Sequence, residues 1–207
     1  MTLTADEKRP ENSHIWAREE HEHYVEPFWC SQRLFDVEHF DGQIWDPCCG
    51  FGRIPESAKA AGHAHVYAGD IMNRGYDRLN ETADFLACRD NQAAPNIVCN
   101  PPFDIFKEFA LHALSLRSTR KVAMIWLVRT LPAARWLGST PLAHIWWLTP
   151  RPSMPPGHVI ARGEKPGGGK QDFCWLVWDK QFRVSPTFGW LHRDGSAAVT
   201  STDRTSI

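Results

Sequence analysis

The sequence predicts an α/β protein with a doubly wound, mostly parallel sheet and an antiparallel hairpin at one edge. Short apolar segments alternate with helical ones along most of the chain, which is typical of this class. The segment 121–128 is an almost uninterrupted apolar run, as expected of a central strand that is covered on both faces. The apolar segments 144–148 and 173–178 have no convincing helix between them, so we expect them to form the antiparallel hairpin.

The other predicted elements follow from the period of the apolar residues and from the turn residues between them. Helices are predicted in three segments with apolar residues on one face: 27–35, 53–61 and 106–116. Strands are predicted in three short apolar segments: 43–46, 65–70 and 96–99. Gly62 follows the second helix directly, where a glycine commonly closes a helix C-terminus.

One domain accounts for most of the 207 residues. We expect residues 1–23 to be a flexible polar arm, residues 24–190 to be the domain, and residues 191–207 to be a flexible tail. A basic loop rich in Pro and Gly, residues 149–170, lies inside the domain. We therefore expect almost nothing of the chain to remain for a separate recognition domain.

The cysteines and histidines do not form a metal-binding or disulfide pattern. The six cysteines contain no Cys-x-x-Cys pair, which excludes zinc-ribbon and thioredoxin motifs and favours free thiols in a reducing cytoplasm. His21 and His23 flank Glu22 but have no further ligands at a suitable spacing, so we predict no metal site. Since no segment is typical of a membrane span or a signal peptide, we expect a cytoplasmic protein without membrane contact.

The net charge of −1 conceals two halves of opposite charge. Residues 1–103 carry 9 basic and 17 acidic side chains, a net charge of −8. Residues 104–170 carry 10 basic and 3 acidic side chains, a net charge of +7. Either surface charge is segregated without consequence, or the basic half faces a polyanion.

The segment 46–52, Asp-Pro-Cys-Cys-Gly-Phe-Gly, ends a predicted strand and opens a predicted helix. Its glycines permit a tight turn and let a ligand approach the backbone. The segment lacks both the dinucleotide glycine fingerprint and the Lys-Ser/Thr of a phosphate loop. Asp70 ends the next strand, where nucleotide-binding sheets place an acid for ribose hydroxyls. Taken singly, the glycines could be ordinary loop residues and Asp70 could be a helix N-cap. Their order and spacing together favour a binding site whose ligand is a nucleoside without a large phosphate group.

The segment 96–103, Asn-Ile-Val-Cys-Asn-Pro-Pro-Phe, delivers a rigid polar loop to the carboxyl end of the sheet, where open α/β folds bind ligands. Asn100 offers an amide oxygen, and the prolines leave the carbonyls of Asn100 and Pro101 as acceptors. Phe103 offers a flat apolar face. Acceptors beside such a face suit a planar exocyclic amine. The structural alternative is a rigid turn whose Phe103 packs in the core.

Together these motifs resemble class I S-adenosylmethionine-dependent amino-methyltransferases, above all DNA adenine-N6 methyltransferases of the Asn-Pro-Pro-Phe type. The resemblance covers about residues 20–180. The segment 24–29, Tyr-Val-Glu-Pro-Phe-Trp, is similar to the N-terminal cofactor motif of compact phage or prophage enzymes, although many relatives have Thr or Ser where Glu26 stands. The resemblance implies a Rossmann-like fold, S-adenosylmethionine as cofactor with S-adenosylhomocysteine as product, and no metal.

The resemblance also implies roles for individual residues. In the loop formed by Asn100, Pro101, Pro102 and Phe103, the first two hold the target amine and Phe103 stacks on the target base. Asp46 lies near the cofactor's amino group, Asp70 binds the ribose, and Asp84 and Phe85 contact the cofactor's adenine. The full set of implied cofactor residues is Tyr24, Glu26, Pro27, Asp46, Pro47, Cys48, Gly50, Gly52, Asp70, Ile71, Asp84, Phe85 and Asn100.

The basic half supplies the nucleic-acid contacts that we predict: Arg129, Arg135, Arg151, Arg162, Lys165 and Lys170. DNA is the expected partner, RNA is an alternative, and a partner subunit is an alternative source of target recognition. Methylation of RNA adenine, of cytosine N4 or of a protein glutamine amide remains open. A catalytically silent module of the same fold that binds nucleic acid is the alternative outside enzymes.

Overall fold

A computed structural model describes residues 23–90, 94–164, 167–182 and 184–196. Eight strands form one mixed sheet: β1 Ile44–Asp46, β2 Val66–Asp70, β3 Glu81–Thr82, β4 Asn96–Cys99, β5 Lys121–Leu127, β6 Leu142–Thr149, β7 Phe173–Asp179 and β8 Thr187–His192. The α-helices in this part of the chain are α1 Phe28–Val37, α2 Arg53–Ala60, α3 Phe106–Ser115 and α4 Gly157–Ala161. The predicted α/β fold class is confirmed.

The strand order is β3-β2-β1-β4-β5-β7-β6-β8. All neighbouring strands are parallel except β7, which runs antiparallel to both β5 and β6. The chain moves outward from β1 to β2 and then returns to β4 on the other side of β1, so the strand order reverses there. Open α/β sheets form their ligand crevice at the carboxyl ends of the strands beside such a reversal.

The end of the sheet beyond β5 differs from the prediction in one respect. β6 and β7 pair antiparallel as expected, but they are not the edge, because β8 adds to β6 in parallel. The sequence analysis did not identify β8, which extends two residues past the predicted domain end at residue 190. It also did not identify β3, which has only two residues.

Helices cover both faces of the sheet around its centre. All seven residues of β5 are buried, as its apolar sequence predicts. On one face, α1 and α2 pack against Trp175 of β7, whose indole N–H donates to the Cys30 carbonyl at 2.9 Å. On the other face, α3 and two 3-10 segments, Val128–Ala133 and Arg135–Ser139, pack against a second apolar cluster.

The predicted basic loop 149–170 contains α4 and holds the first described residues of the chain. The Pro155 carbonyl accepts from the Val25 N–H at 2.9 Å, and the Gly157 N–H donates to the His23 carbonyl at 2.8 Å. His23 therefore belongs to the folded unit, although the sequence analysis assigns it to the arm. The rest of that arm, Lys165 and the tail from residue 197 lie outside the described residues.

Two further expectations concern the cysteines and the membrane. All six cysteines are free thiols, and four of them are buried. Among the described residues, no helix is both long and apolar enough to span a membrane.

Candidate active site

A cavity of about 350 Å³ opens at the carboxyl edge of the sheet, where β1, β2 and β4 end. Residues from five separate segments line it, namely 23–26, 46–54, 70–74, 83–85 and 100–105, together with Phe109 of α3. The cavity brings together twelve residues that the sequence analysis singles out: Tyr24, Glu26, Asp46, Pro47, Cys48, Gly50, Asp70, Ile71, Asp84, Phe85, Asn100 and Pro102.

Other predicted site residues do not line this cavity. Four belong to the motifs themselves: Pro27, Gly52, Pro101 and Phe103. The described members of the basic set also lie elsewhere: Arg129, Arg135, Arg151, Arg162 and Lys170. The described basic residues therefore lie outside the cavity.

The two glycines of the 46–52 turn have different tasks. Gly50 has φ +53°, and a side chain there would overlap the imidazole of His23. Gly52 has φ +79°, precedes α2 as its N-cap, and packs against the ring of Tyr76. A left-handed φ favours glycine at both positions. Only Gly50 borders the cavity, so Gly52 acts by shaping the turn.

The carboxylate of Asp70 links the loops that follow β1 and β2. It accepts from the Gly50 N–H at 2.9 Å and from the Met72 N–H at 3.2 Å. The guanidinium of Arg74 lies 3.4 Å from the same carboxylate. These contacts fix the orientation of a buried acid, and its remaining lone pairs can accept from ligand hydroxyls.

Two more buried carboxyl groups, those of Asp46 and Glu26, line the cavity. Burial raises the pKa of Asp46 well above its usual range, and the nearby carboxylates of Glu26 and Asp70 add to this rise. Burial also raises the pKa of Glu26 to about 7, against the lowering effect of the Asn100 hydrogen bond and of Arg53. Since an ionised acid is costly in such a place, a ligand carrying positive charge would stabilise both groups.

The amide of Asn100 is held in one orientation. Its Nδ2 donates to the Tyr24 carbonyl and to Oε2 of Glu26, both at 2.8 Å. Both amide hydrogens are thus engaged, while Oδ1 has no hydrogen-bond partner within the described part of the chain. The side chain therefore presents a prepared acceptor at the cavity wall.

One expectation about this loop needs correction. The backbone carbonyl of Asn100 is not free, because the Cys48 thiol donates to it at 3.4 Å. The sequence could not indicate this contact, since the two residues lie 52 positions apart. A carbonyl oxygen has two lone pairs, so the weak thiol contact leaves one of them available.

The sequence leaves open whether Phe103 packs in the core or presents its ring to a ligand, and the structure shows features of both. Its ring is nearly parallel to that of Tyr24, at 7° with centroids 6.1 Å apart, and it also contacts Phe173 at 5.8 Å. It packs against both apolar clusters, yet it stays partly exposed. Phe103 and Tyr24 together form an aromatic wall beside Asn100.

Asp84 and Phe85 line the side of the cavity below β2 and β3. The Asp84 carboxylate caps a short 3-10 turn by accepting from the Leu86 N–H at 2.9 Å. Phe85 is buried and packs against Trp45 and Phe109, with ring centroids 5.3 and 4.5 Å apart. The capping contact engages one oxygen of Asp84, so the other can accept from a ligand.

Several lining residues escaped the sequence analysis. His23 packs between Gly50 and Gly157, and burial together with Arg74 lowers its pKa to about 4. Nothing in the polar N-terminal segment indicates that His23 is packed against the cavity. Arg74 stands four residues after Asp70, but the segment between them is a loop, so this spacing does not by itself indicate the ion pair. Arg53, which also lies over the ring of Phe28, opens α2 directly after the glycine turn.

The basic residues differ in how free they are. Arg151 pairs with Asp172 at 2.6 Å, and Arg162 lies 4.0 Å from Glu164. Arg129 and Arg135 are exposed and make no ion pair with any described residue. No group of three metal-ligating side chains occurs among the described residues.

Comparison with known proteins gives matches at the level of structure. No family model and no curated protein matches the chain. The type IIG restriction endonuclease BpuSI superposes with a TM-score of 0.50 and 17% identity, covering 79% of this chain and 25% of BpuSI. A proposed RNA methyltransferase from Pyrococcus horikoshii superposes with a TM-score of 0.52 and 15% identity, covering 74% of this chain and 80% of that one.

A third structure is the modification subunit of a proposed type I restriction enzyme from Vibrio vulnificus. It gives a TM-score of 0.51 and 14% identity, and covers 81% of this chain and 47% of the subunit. The chain thus spans a quarter of BpuSI and about half of the modification subunit. At these identities the likeness concerns the fold, and the chain has the Rossmann-like fold of methyltransferases.

Proposed function

We propose that the protein is an S-adenosylmethionine-dependent methyltransferase that acts on the exocyclic N6 amine of adenine in DNA. The observation that carries this proposal is the orientation of Asn100. Both of its amide hydrogens are held by Tyr24 and Glu26, so Oδ1 is set as an acceptor at the wall of an acidic cavity. A prepared acceptor of this kind suits a planar amine.

The residues that line the cavity fit the proposed cofactor. The buried acids Glu26 and Asp46 complement a ligand with two positive centres, a sulfonium and an ammonium. Asp70 would hold the ribose, Gly50 would border the methionine part, and Asp84 and Phe85 would contact the adenine. When bound, this group supplies an activated methyl: an N–CH3 bond forms as the S–CH3 bond breaks, and the amine loses one proton.

The chain's own residues then need only to position the amine and withdraw its positive charge. Oδ1 of Asn100 and the Pro101 carbonyl would accept from the amine hydrogens, which favours development of the nitrogen lone pair. The aromatic wall of Phe103 and Tyr24 would hold the base. Flipping a base from a duplex costs about a few kcal/mol, and base–aromatic stacking, about 1–3 kcal/mol per base, offsets part of this.

DNA as the substrate is supported by the charge of the chain and by two structural neighbours. Residues 104–170, with a net charge of +7, begin directly after residues 100–103, which we call the target-base loop. BpuSI and the Vibrio vulnificus subunit are components of restriction systems, so a partner subunit that supplies target recognition is part of the proposal. An enzyme of this kind acts where DNA is accessible, which is the cytoplasm of a bacterial cell.

A labelled-methyl transfer assay tests the proposal. The protein and methyl-labelled cofactor are incubated in parallel with unmethylated DNA, with RNA and with protein, and the products are hydrolysed and separated. We expect the label in N6-methyldeoxyadenosine. Label in N4-methylcytosine, in RNA adenine or in methylglutamine would overturn the substrate assignment, and no transfer to any of the three would overturn the enzymatic function.

A further inference from the structure

Three aromatic side chains form an exposed cluster at the far end of the sheet, on β6 and β8. The ring centroids of Trp147 lie 5.2 Å from those of Phe188 and 5.1 Å from those of Trp190, and the last two are 6.1 Å apart. Phe188 and Trp190 remain 44% and 41% exposed. We call these three residues the aromatic platform. Clustered aromatic rings left open to solvent are typical of a binding surface.

The pairing of β6 with β8 explains why the rings share one face. Phe188 lies opposite Ile145, and Trp190 lies opposite Trp147. Leu191 points to the other face, where it is buried in the cluster that contains α1. The platform is therefore on the face that carries α3 nearer the centre of the sheet, and β8 lies beyond the cover that α3 provides.

The platform is in register with the target-base loop. Cys99 of β4 pairs with Met124, so Pro101 extends to the level of Trp126, and the same row continues through Cys174 and Trp147 to Trp190. Four strand spacings of about 4.8 Å separate the two ends of this row, roughly 19 Å in all. That distance equals about six stacked nucleotides at about 3.4 Å each.

Arginines follow the strands along this same edge. Because β5, β6 and β8 are parallel, their carboxyl ends meet on one side, and Arg129, Arg151 and Arg193 come directly after them. Arg129 and Arg193 are exposed and make no side-chain ion pair with any described residue, whereas Asp172 neutralises Arg151. Two unpaired cations thus border the row that joins the loop to the platform.

We propose that the aromatic platform, with Arg129 and Arg193, binds an unpaired nucleic-acid strand that flanks the target base. Stacking surfaces beside backbone-tracking cations are the common design of sequence-tolerant single-strand sites. An apolar protein surface would cover the rings but leave the arginines without counter-charges. That the bound strand flanks a target base rests on the proposed function. Binding of the strand itself does not require methyl transfer.

Binding of fluorescently labelled oligonucleotides to the full chain tests this. Trp190→Ala is expected to weaken binding of a 12-nucleotide DNA strand by about 5- to 150-fold, the worth of one stacked base. Trp190→Phe keeps a stacking ring and should stay within about threefold of wild type, whereas Trp190→Leu keeps an apolar side chain and should lose binding like the alanine variant. Leu111→Ala, a truncation of another exposed apolar residue on α3, is the control and should change nothing.

The results distinguish the platform from other surfaces. Equal affinity of wild type and Trp190→Ala for the strand would overturn the proposal. So would a change from dimer to monomer in light scattering without loss of strand affinity, since the platform would then join two copies. Strand binding that needs Trp190 in a protein that transfers no methyl would overturn the proposed function and leave the platform standing.

Discussion

The two ends of the sheet present opposite chemistry along the same edge. At β1, β2 and β4, the carboxyl groups of Glu26, Asp46 and Asp70 are buried around a cavity. At β6 and β8, the rings of Phe188 and Trp190 are exposed and arginines stand at the strand ends. The near-neutral net charge of the chain is thus the sum of an acidic part and a basic part.

The difference in burial sets the size of the effects that each end can produce. Charges in the cavity act through a poorly solvated medium, so their removal has a large effect that salt hardly changes. Charges on the far edge are exposed and screened within about 8 Å at physiological ionic strength. Substitutions in the cavity should therefore alter the reaction itself, whereas substitutions on the edge should alter the affinity for the substrate.

The largest effect is expected from Asn100→Ala. The variant loses the acceptor that positions the amine, so kcat should fall by about 100- to 1000-fold. Cofactor affinity, measured by calorimetry, should fall much less than kcat, because the buried acids remain, and the part that is lost reflects the hydrogen bond that lowers the pKa of Glu26. Asn73→Ala is the matched control, since Asn73 is exposed and its side chain only accepts from the Gly75 N–H at 2.8 Å. Wild-type turnover in Asn100→Ala would contradict the assignment of the target-base loop.

A smaller effect, and one that depends on pH, is expected from Glu26→Gln. The pKa of Glu26 is raised to about 7, so the group is largely neutral at pH 6 and ionised at pH 8. A cationic ligand favours the ionised form, so wild-type affinity for S-adenosylmethionine should rise over this window, by at most about tenfold per pH unit. Glutamine keeps an acceptor for Asn100 but cannot ionise. The variant should therefore show a flatter profile.

Glu56→Gln provides the comparison for this profile. Glu56 is a partly exposed residue of α2 that pairs with Arg78 at 3.0 Å, away from the buried acids. It should retain the wild-type pH dependence. Identical profiles of wild type and Glu26→Gln would show that the buried carboxyl group is not linked to the ligand.

The smallest effect is expected at the far edge. Arg193→Ala should weaken oligonucleotide binding severalfold at low salt and reduce the slope of log affinity against log salt by about 1. Arg117→Ala removes another exposed arginine, which lies 3.8 Å from Asp90 and stands before β5 at the opposite edge of the sheet, and it should leave the slope unchanged. An unchanged slope in Arg193→Ala would show that this arginine does not contact the phosphates of the nucleic acid.

The contrast between the two ends also explains which features the sequence could predict. β5 was predictable because a central strand buried on both faces needs a continuous apolar run. The turn around Gly50 and the rigid Asn100 loop were predictable because backbone geometry restricts the residue types there. β8 was not, because only two of its six residues are buried and Gly189 interrupts the pattern.

Contacts between distant segments were beyond the reach of local patterns. His23 closes the cavity because the backbone of Pro155 and Gly157 holds its segment, more than 130 positions away in the chain. Glu26 lies 74 positions from the Asn100 amide that it orients. Motifs and the family resemblance therefore indicated twelve residues of the cavity lining, while tertiary contacts decide how its groups are held.

The assignment of the cavity depends on S-adenosylmethionine binding there, which isothermal titration calorimetry measures directly. We expect saturable binding at one site per chain, and an affinity reduced about 10- to 150-fold in Asp70→Ala through the loss of charge-assisted hydrogen bonds. Leu111→Ala should titrate like wild type. The absence of binding to the folded wild-type protein, or equal affinity in Asp70→Ala, would contradict the assignment of the cavity.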